Sequence, residues 1–406
     1  MAVSDARELL QPGHEVAAKS YDICMLYPGH VLTDHLPFGD GLVAFGFISE
    51  LARRGHRLHV IAQRIHLQNP LPPNVTIHPI VARERGIVQR LRFLFGSRAI
   101  VRRLLAAGQI DLVQQLNPVS NGMSFGMIGL RVPIVLGTFV GNWPAEPAGK
   151  PSLAGKVFGT LVRAARFGMA RLQEDLASAF LVTTPAALDR FSSARHVAPK
   201  IAWIPHGIDV RMFEQRPPRA GVQSILFLAG VTKKKGVFTL LDAFERVHTV
   251  LPDVRLDIVG GGAQFEEVER RIATMPSGSH IRMLGLVDRA RVPAVMADAS
   301  VYCLPSFGEP YATTAIEAMA CGKPLVVTDS GGLRYMVSDA GGRRVRPGDG
   351  EELASALVEI LSSPTLQQKM GAHNRQLAER EYDWPRVSEK LEAVYARVLA
   401  GTAATA

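Results

Sequence analysis

Two glutamates eight residues apart, Glu309 and Glu317, lie in an otherwise apolar stretch, SFGEPYATTAIEAMACGKPLVVTDSGG. Pro310 disfavours the α region for Glu309, so this acid belongs to a loop, and the helix that carries Glu317 begins at Thr313 or Thr314. Both carboxylates can then face one cleft, with the free amides of the first helical turn between them. Carboxylates accept hydrogen bonds from hydroxyls, so the pattern predicts a ligand that combines sugar, diphosphate and ribose. Two surface acids flanking an apolar helix remain an alternative at this point.

Two further stretches follow apolar runs and precede helical patterns. The segment VTKKKG places Lys233, Lys234 and Lys235 after SILFLAG, and the segment with Gly39 and Gly41 follows YDICMLY. Lysines beside a helix N-terminus suit a phosphate, and glycines let the backbone approach a ligand closely. Glycines after a strand are also typical of turns, and a lysine run is also typical of a solvated loop. Neither stretch alone identifies a site.

The elements that must position these residues follow an alternating pattern. Short apolar runs such as RLHVIA and VPIVLGTF alternate with longer stretches of helical period, which is typical of parallel sheets covered by helices. The pattern restarts after KIAWIPHGIDVRMFEQRPPRAGVQ. We therefore expect an α/β protein with two doubly wound, Rossmann-like domains. The first covers 1–206 and the second 207–384, and a last helix, 385–406, crosses back to the first.

Composition excludes several classes of protein. Hydrophobic residues make up 47% of the 406, which excludes a disordered chain. The three cysteines, Cys24, Cys303 and Cys321, are far apart and odd in number, so neither a disulfide framework nor a zinc site is expected. We expect the protein to occupy a reducing compartment. The N-terminal residues lack the apolar core of a secretory signal, and no stretch predicts a membrane span. We expect a cytoplasmic protein.

Positive charge is concentrated in the first half of the chain. Residues 1–205 contain 22 Lys and Arg against 13 Asp and Glu, which accounts for the whole net charge of +9. Within 83–108, seven arginines and one acid alternate with Leu, Ile, Val and Phe. Such a basic amphipathic helix predicts contact with an anionic membrane surface. A surface helix whose arginine stems cover the core is the alternative. No stacking platform or helix-turn-helix pattern supports a nucleic acid as the partner.

The residues around the two glutamates closely resemble the E-x(7)-E signature of retaining GT-B glycosyltransferases, of the group 1 or family-four type. Further motifs of that family occur in the same order along nearly the whole chain: ELARRGHRLHVIA, IPHGIDVRMF, KKKGVFTLLDAF, LDIVGGG, IRMLGLV and GGRRVRPGDGEELASAL. The resemblance implies two Rossmann-like domains that face each other across a cleft. It also implies transfer of a sugar from a nucleotide-diphosphate donor to a hydroxyl of a glycan, a lipid-linked acceptor or a small molecule.

The resemblance also implies roles for single residues. Glu309 is similar to the acid that binds donor sugar hydroxyls, Glu317 to the acid that binds the ribose, and Lys235 to the lysine that neutralises the diphosphate. The backbone amides of Ala312, Thr313 and Thr314 correspond to phosphate contacts. Gly39 and Gly41 correspond to the glycine loop of the first domain that closes over the donor. Glu309 and Lys235 are thus the expected catalytic residues.

Four positions depart from the family pattern. Gly230 or Val231 stands where an arginine is usual, so Lys233 or Lys234 is expected to supply that charge. Val140 replaces a histidine that helps position the transferred sugar. A late glutamate is replaced by Arg334 or Tyr335, and a glycine before the second acid by Ala312. The substitution at Val140 and the missing arginine motivate an alternative from another class, a protein that binds sugar nucleotides without transferase activity.

Retention of configuration can proceed without an enzymatic nucleophile when the departing diphosphate assists the incoming hydroxyl. The protein then has to stabilise charge on the leaving group. The chain contains no D-x-D, the usual metal motif of the other large glycosyltransferase class, so neither a metal nor another cofactor is expected. A UDP sugar is favoured as donor over GDP and ADP sugars.

The run VGGGAQFEEVE lacks the G-x-G-x-x-G spacing of a nicotinamide-dependent dehydrogenase. A phosphorylase or a nucleotide-sugar epimerase stays open.

Overall fold

The computed structural model describes residues 19–36, 38–81, 86–119, 123–143, 167–215 and 223–403. Two large sheets, each entirely parallel, organise these residues. Their strands are buried apolar runs such as DICMLY at Asp22–Tyr27 and LVVT at Leu325–Thr328, whose side chains have little exposure on either face. Such runs form where helices cover both faces of a sheet. The expectation of two doubly wound α/β sheets is confirmed.

The first sheet has seven strands in the order β5-β3-β1-β6-β7-β8-β9. Its strands are β1 Asp22–Tyr27, β3 Arg57–Ala62, β5 Val75–Pro79, β6 Leu112–Gln115, β7 Ile134–Phe139, β8 Ala179–Val182 and β9 Ile201–Trp203. A separate two-stranded sheet pairs β2 Leu32–Thr33 with β4 Ile65–His66. The second large sheet has the order β12-β11-β10-β13-β14-β15. Its strands are β10 Ser224–Leu228, β11 Arg255–Val259, β12 Ile281–Gly285, β13 Val301–Leu304, β14 Leu325–Thr328 and β15 Gly342–Val345.

Helices connect consecutive strands and cover both sheets. In the first half they are α1 Gly39–Arg53, α2 Ile87–Ala106, α3 at 167–176 and α4 Ala194–Val197. In the second half they are α5 Val237–Val250, α6 Phe265–Ile272, α7 Val292–Asp298, α8 Thr313–Ala320, α9 Leu333–Met336, α10 Gly350–Leu361, α11 Pro364–Leu377 and α12 Trp384–Ala403, with a π-helical turn at Ala378–Tyr382. Within the described ranges, no helix is both long enough and apolar enough to cross a bilayer.

Two chain segments run side by side where the first sheet gives way to the second. Ile208 and Asp383 form an isolated parallel bridge, in which the Ile208 N–H donates to the Tyr382 carbonyl and the Trp384 N–H to the Ile208 carbonyl. The indole of Trp384 fills the space beside Gly46 and Gly207, where a Cβ on either glycine would collide with the ring. These contacts join both crossings of the chain to α1.

The last helix, α12, packs on the first sheet although it follows the second in sequence. Its apolar side chains Val387, Leu391 and Val394 belong to the same buried cluster as Phe47 and Leu51 of α1. The Tyr395 hydroxyl donates to the Gln114 side chain of β6. The helix therefore packs back on the first half of the chain.

Candidate functional site

The side chains of Lys235 and Glu309 form an ion pair at the carboxyl ends of β10 and β13. Glu309 is 4% exposed, and its carboxylate also accepts a hydrogen bond from the Tyr311 backbone N–H. Burial raises the pKa of the Glu309 carboxyl, and the Lys235 charge offsets part of that rise. A buried carboxylate that is paired with a lysine from a loop can exchange this partner for a ligand.

Two close backbone approaches bring Lys235 and Glu309 together. Gly236, at φ +77°, packs so tightly on the Pro305 carbonyl that a Cβ would collide with it. Gly331, at φ +55°, packs in the same way on the Glu309 carbonyl, which also accepts the Gly332 N–H at 2.7 Å. Only glycine combines this backbone conformation with such an approach. The glycine pair that closes the E-x(7)-E stretch therefore supports the loop that carries its first acid.

The second acid, Glu317, is paired with Arg289, which follows β12. Arg289 binds Oε1, whereas Oε2 is buried and has no hydrogen-bond partner among the described residues. Burial raises the pKa of Glu317, and Arg289 counteracts part of this effect. The Arg289 guanidinium also lies 5.7 Å from the centre of the Phe213 ring. An unpartnered buried carboxylate oxygen is a position for a ligand hydroxyl.

The helix α8 begins at Thr313, and its N-terminus lies between the two acids. Ala312 is the N-cap residue and provides no side-chain cap, so the first amides of the helix remain available to an anion. The Thr314 hydroxyl is 2.7 Å from the Tyr302 hydroxyl. Thr313 faces the cleft instead. The expected helix start and the expected set of amides are thus brought together beside Glu309.

The other two lysines of the KKK run lie differently. Lys233 is 69% exposed in its side chain and lies 3.8 Å from a carboxylate oxygen of Glu267 on α6. The carbonyl of Lys234 accepts the Phe307 N–H at 2.8 Å, which ties the lysine loop to the end of β13. Of the three, Lys235 is the one that meets an acid of the E-x(7)-E pair.

The opposite wall of the cleft comes from the first half of the chain. Gly39 and Gly41 do not form a loop ahead of a helix, because α1 already begins at Gly39. A Cβ at Gly39 would meet open space, whereas one at Gly41 would collide with the Val31 carbonyl. Asp40 accepts a hydrogen bond from the Asn117 side-chain amide at 2.6 Å. Asp40 is exposed, but the walls of the cleft surround its carboxyl group. The resulting desolvation raises the pKa of Asp40.

A cavity of about 180 Å³ lies between these two walls. Its lining residues come from both halves: Gly39, Asp40, Val43, Val140, Trp143, His206, Glu309, Pro310, Tyr311 and Thr313. Trp143 reaches across the cleft, and the Lys235 Nζ lies 4.9 Å from the centre of its ring. The cavity therefore joins the amide-bearing end of α8 to polar groups of the first half. No group of three or more His, Cys, Asp or Glu suited to a metal ion occurs in the described part of the chain.

A buried histidine links the two walls. The Thr138 hydroxyl at β7 is 2.7 Å from His206 Nε2, and the Tyr311 hydroxyl accepts the His206 backbone N–H at 3.2 Å. Burial lowers the pKa of His206 to about 3, so this imidazole is neutral at physiological pH. The contacts hold the end of β7 against the Glu309 loop.

Sequence reasoning did not find Arg289, Trp143, Asp40 or the pair formed by Thr138 and His206. Each belongs to a different segment, and no fixed spacing relates it to the acids. The one available signal was position, since Asp40 stands between the two glycines and Trp143 follows β7. Of the departures, Val140 lines the cavity without a polar group, and Val231 is fully buried. Arg334 instead pairs with Asp329 at 3.1 Å.

Comparisons with known proteins agree with this geometry. Residues 211–377 match the family described as Glycosyl transferases group 1, and residues 39–211 match Glycosyltransferase Family 4. The phosphatidyl-myo-inositol mannosyltransferase of Mycobacterium leprae is 30% identical over 371 residues, which cover 87% of this chain and 93% of the relative. A GDP-mannose-dependent mannosyltransferase of Corynebacterium glutamicum, which acts on a monoacylated phosphatidylinositol monomannoside, is 30% identical over half of this chain and 58% of its own length.

Solved structures share the fold at low sequence identity. Sucrose-phosphate synthase from Thermosynechococcus elongatus superimposes with a TM-score of 0.72 at 20% identity, covering 94% of this chain and all of that protein. HepE from Anabaena in complex with UDP superimposes with a TM-score of 0.68 at 18% identity, covering 93% and 100%. The GT-B arrangement expected from the resemblance is thereby confirmed.

Proposed function

Since the chain belongs to the group 1 glycosyltransferases, we propose that it moves mannose from GDP-mannose to a hydroxyl of an inositol glycolipid, with retention of configuration. One observation carries the proposal. Lys235 and Glu309 form an ion pair at the uncapped N-terminus of α8, across the cleft from Asp40 and Trp143. Cation, amides and carboxylate are there within reach of one diphosphate sugar.

When the donor binds, its groups replace contacts that these side chains make within the free protein. Its diphosphate takes the ammonium of Lys235 and the amides at Ala312, Thr313 and Thr314, and its sugar hydroxyls donate to Glu309. The ribose hydroxyls donate to Glu317, whose Oε2 has no partner within the described part of the chain. This last contact satisfies a carboxylate oxygen that is otherwise buried at a cost.

Transfer requires one bond to break and one to form at the anomeric carbon. The bond from this carbon to the diphosphate oxygen breaks, and its electron pair leaves with the diphosphate. The acceptor oxygen bonds to the same face of the carbon, and its proton passes to the departing diphosphate oxygen. Lys235 and the amides of α8 stabilise the charge that develops on the leaving group. This chemistry assigns no step to a metal ion.

The donor and the acceptor are proposed from the mannosyltransferase relatives. The name of the Corynebacterium glutamicum relative specifies GDP-mannose, so we propose this donor in place of the UDP sugar expected from the sequence alone. Their names describe phosphatidylinositol-based acceptors. Asp40, which is held by the Asn117 amide, lines the wall opposite Glu309, where its carboxylate can accept hydrogen bonds from a polyhydroxylated headgroup.

Contact with the membrane is proposed through α2. Four of its apolar side chains, Ile87, Val88, Leu91 and Phe95, are 67%, 50%, 45% and 65% exposed. Arg90, Arg92, Arg102 and Arg103 are exposed on the same helix, so most of its arginines do not cover the core as the alternative requires. An exposed apolar stripe between arginines fits the interface of an anionic bilayer, which holds a glycolipid acceptor. Residues 83–85 of the expected segment lie outside the described residues.

Thermal stabilisation by a panel of nucleotide sugars tests the donor, followed by hydrolysis and transfer assays with phosphatidylinositol. GDP-mannose at 100 times its dissociation constant is expected to stabilise the fold by about 2.7 kcal/mol. The anomeric configuration of the product, read by NMR, tests retention. Stabilisation without hydrolysis or transfer favours the non-catalytic sugar-nucleotide-binding protein. If no nucleotide sugar of the panel stabilises the protein, both functions are contradicted.

A further inference from the structure

We propose that the indole face of Trp143 packs on the sugar of the bound donor and positions its anomeric carbon. The inference rests on the proposed function, because it assigns a role within that donor site. Trp143 lines the cavity from the first half of the chain and is 37% exposed. A large aromatic side chain left exposed inside a cleft is a surface for a ligand.

The position of the ring follows from its contact with Lys235. The Lys235 Nζ lies 4.9 Å from the centre of the indole and is at the same time bonded to Glu309. A ligand that separates Lys235 from Glu309 therefore lies close to the aromatic face. In the proposed complex the diphosphate holds the lysine and the sugar hydroxyls hold the carboxylate, which places the sugar ring beside the indole.

The chemistry of the two surfaces is complementary. A pyranose presents hydroxyls at its edge and C–H bonds on its faces, so one face can pack on an aromatic ring while the edge donates to a carboxylate. Trp143 offers a large apolar face, and the Glu309 carboxylate beside it accepts the hydrogen bonds. Val140, on the same wall, provides apolar contact only. Trp143 thus supplies an orienting contact to the sugar from the first half of the chain.

Trp143 has a second partner before the donor binds. Its ring attracts the Lys235 ammonium, which lies within the range of a cation–π contact. Binding of the diphosphate draws the ammonium away, and the ring face becomes free for the sugar. The exchange explains why one residue contacts the lysine in the free protein and the sugar in the complex.

Two variants separate this role from a structural one. Trp143→Phe retains an aromatic face, whereas Trp143→Leu retains apolar bulk without one. The dissociation constants of GDP and GDP-mannose are measured for each by calorimetry, with UDP and UDP-glucose as a parallel pair. We expect Trp143→Leu to weaken GDP-mannose about tenfold relative to GDP, and Trp143→Phe to change that ratio less than threefold. Quenching of tryptophan fluorescence by GDP-mannose beyond that by GDP should disappear in both variants.

The outcomes distinguish a failure of the Trp143 sugar contact from a failure of the proposed function. An unchanged ratio of the two constants in Trp143→Leu would overturn the sugar contact, and so would an equal loss of both ligands. If the unsubstituted protein binds neither pair, the proposed function fails and this inference fails with it. Rescue of the ratio by Phe after its loss in Leu would support an aromatic contact with the sugar.

Discussion

Arg289 binds one oxygen of the Glu317 carboxylate, and the other, Oε2, is buried with no hydrogen-bond partner in the ranges that the structure describes. The arginine neutralises the acid, and the free oxygen remains an acceptor. This division lets a buried carboxylate stay ionised and still receive a hydroxyl, although burial raises its pKa.

Replacing Glu317 by Gln tests this relationship. The amide keeps the shape of the side chain but removes the negative charge that pairs with Arg289. Its remaining oxygen is also a weaker hydrogen-bond acceptor for a ribose hydroxyl. Wild type is expected to bind GDP at least tenfold more tightly than 2′,3′-dideoxy-GDP, and Glu317→Gln to reduce this preference to about threefold or less. Calorimetry measures both constants, and Arg289→Lys, which keeps the charge, is the control. A preference that survives in Glu317→Gln would show that the ribose lies elsewhere.

Replacing Lys235 by Ala should lower turnover by orders of magnitude while the protein stays folded. The lysine is expected to stabilise charge in the transition state, and removal of one such donor typically costs about 100- to 1,000-fold. Lys233→Ala, two residues away in the same loop and paired with Glu267, is the matched control. Steady-state rates and circular dichroism are measured for both. Near-normal transfer by Lys235→Ala would refute the leaving-group role.

Replacing Gly331 by Ala should destabilise the protein and disturb Glu309. The alanine adopts an unfavourable backbone conformation, at a cost of about 1–2 kcal/mol, and its Cβ collides with the Glu309 carbonyl. Gly108→Ala is the control, because Gly108 has a similar φ of +64° but open space at its Cβ. Chemical denaturation measures both free energies of unfolding. Equal losses in the two variants would show that the backbone approach at Gly331 contributes nothing.

The contact of α12 with the first half predicts a dependence of stability on pH. Burial alone raises the pKa of Glu392, but hydrogen bonds from Arg54 and His56 outweigh it and lower this pKa to about 2. Because the folded pKa lies below the unfolded value of 4.5, the stabilisation is present above pH 4.5 and is lost as pH falls toward 2. Glu392→Gln should therefore lower Tm at pH 7, by about 2–4 °C for each kcal/mol lost, and this difference should shrink below pH 4.5.

Thermal melts of wild type and Glu392→Gln between pH 3 and pH 7 check that prediction. Glu389→Gln serves as the control, since Glu389 lies on the same helix and pairs locally with Arg386 at 3.0 Å. A difference in Tm between wild type and Glu392→Gln that stays constant over this range would contradict the assignment.

The exposed face of α2 predicts binding to anionic vesicles. The double variant Leu91→Ser and Phe95→Ser should reduce binding to phosphatidylinositol vesicles about tenfold or more, because it removes apolar area from the interface. Val250→Ser is the control, since Val250 is equally an exposed apolar side chain, at 60%, but lies on α5. Sedimentation at low salt measures the bound fraction. Equal recovery of wild-type protein with and without vesicles would count against membrane contact.

Periodicity and local chemistry determined the larger outlines of this protein. The alternation of apolar runs and helical stretches predicted two parallel sheets, and Pro310 predicted a loop for Glu309 with a helix from Thr313 or Thr314. These features depend on neighbours in the chain, so a single sequence is enough to reveal them. The same local reasoning placed Gly39 and Gly41 ahead of a helix, whereas α1 begins at Gly39.

Tertiary structure alone decided which side chains meet. Arg289 reaches Glu317, Trp143 covers Lys235, and Glu392 joins Arg54 across 338 positions of the chain. Such contacts depend on strand order and on the direction in which each side chain leaves its element, and neither leaves a periodic trace in the sequence. The sequence by itself therefore determined the two sheets and the acids of the site, and folding decided their partners.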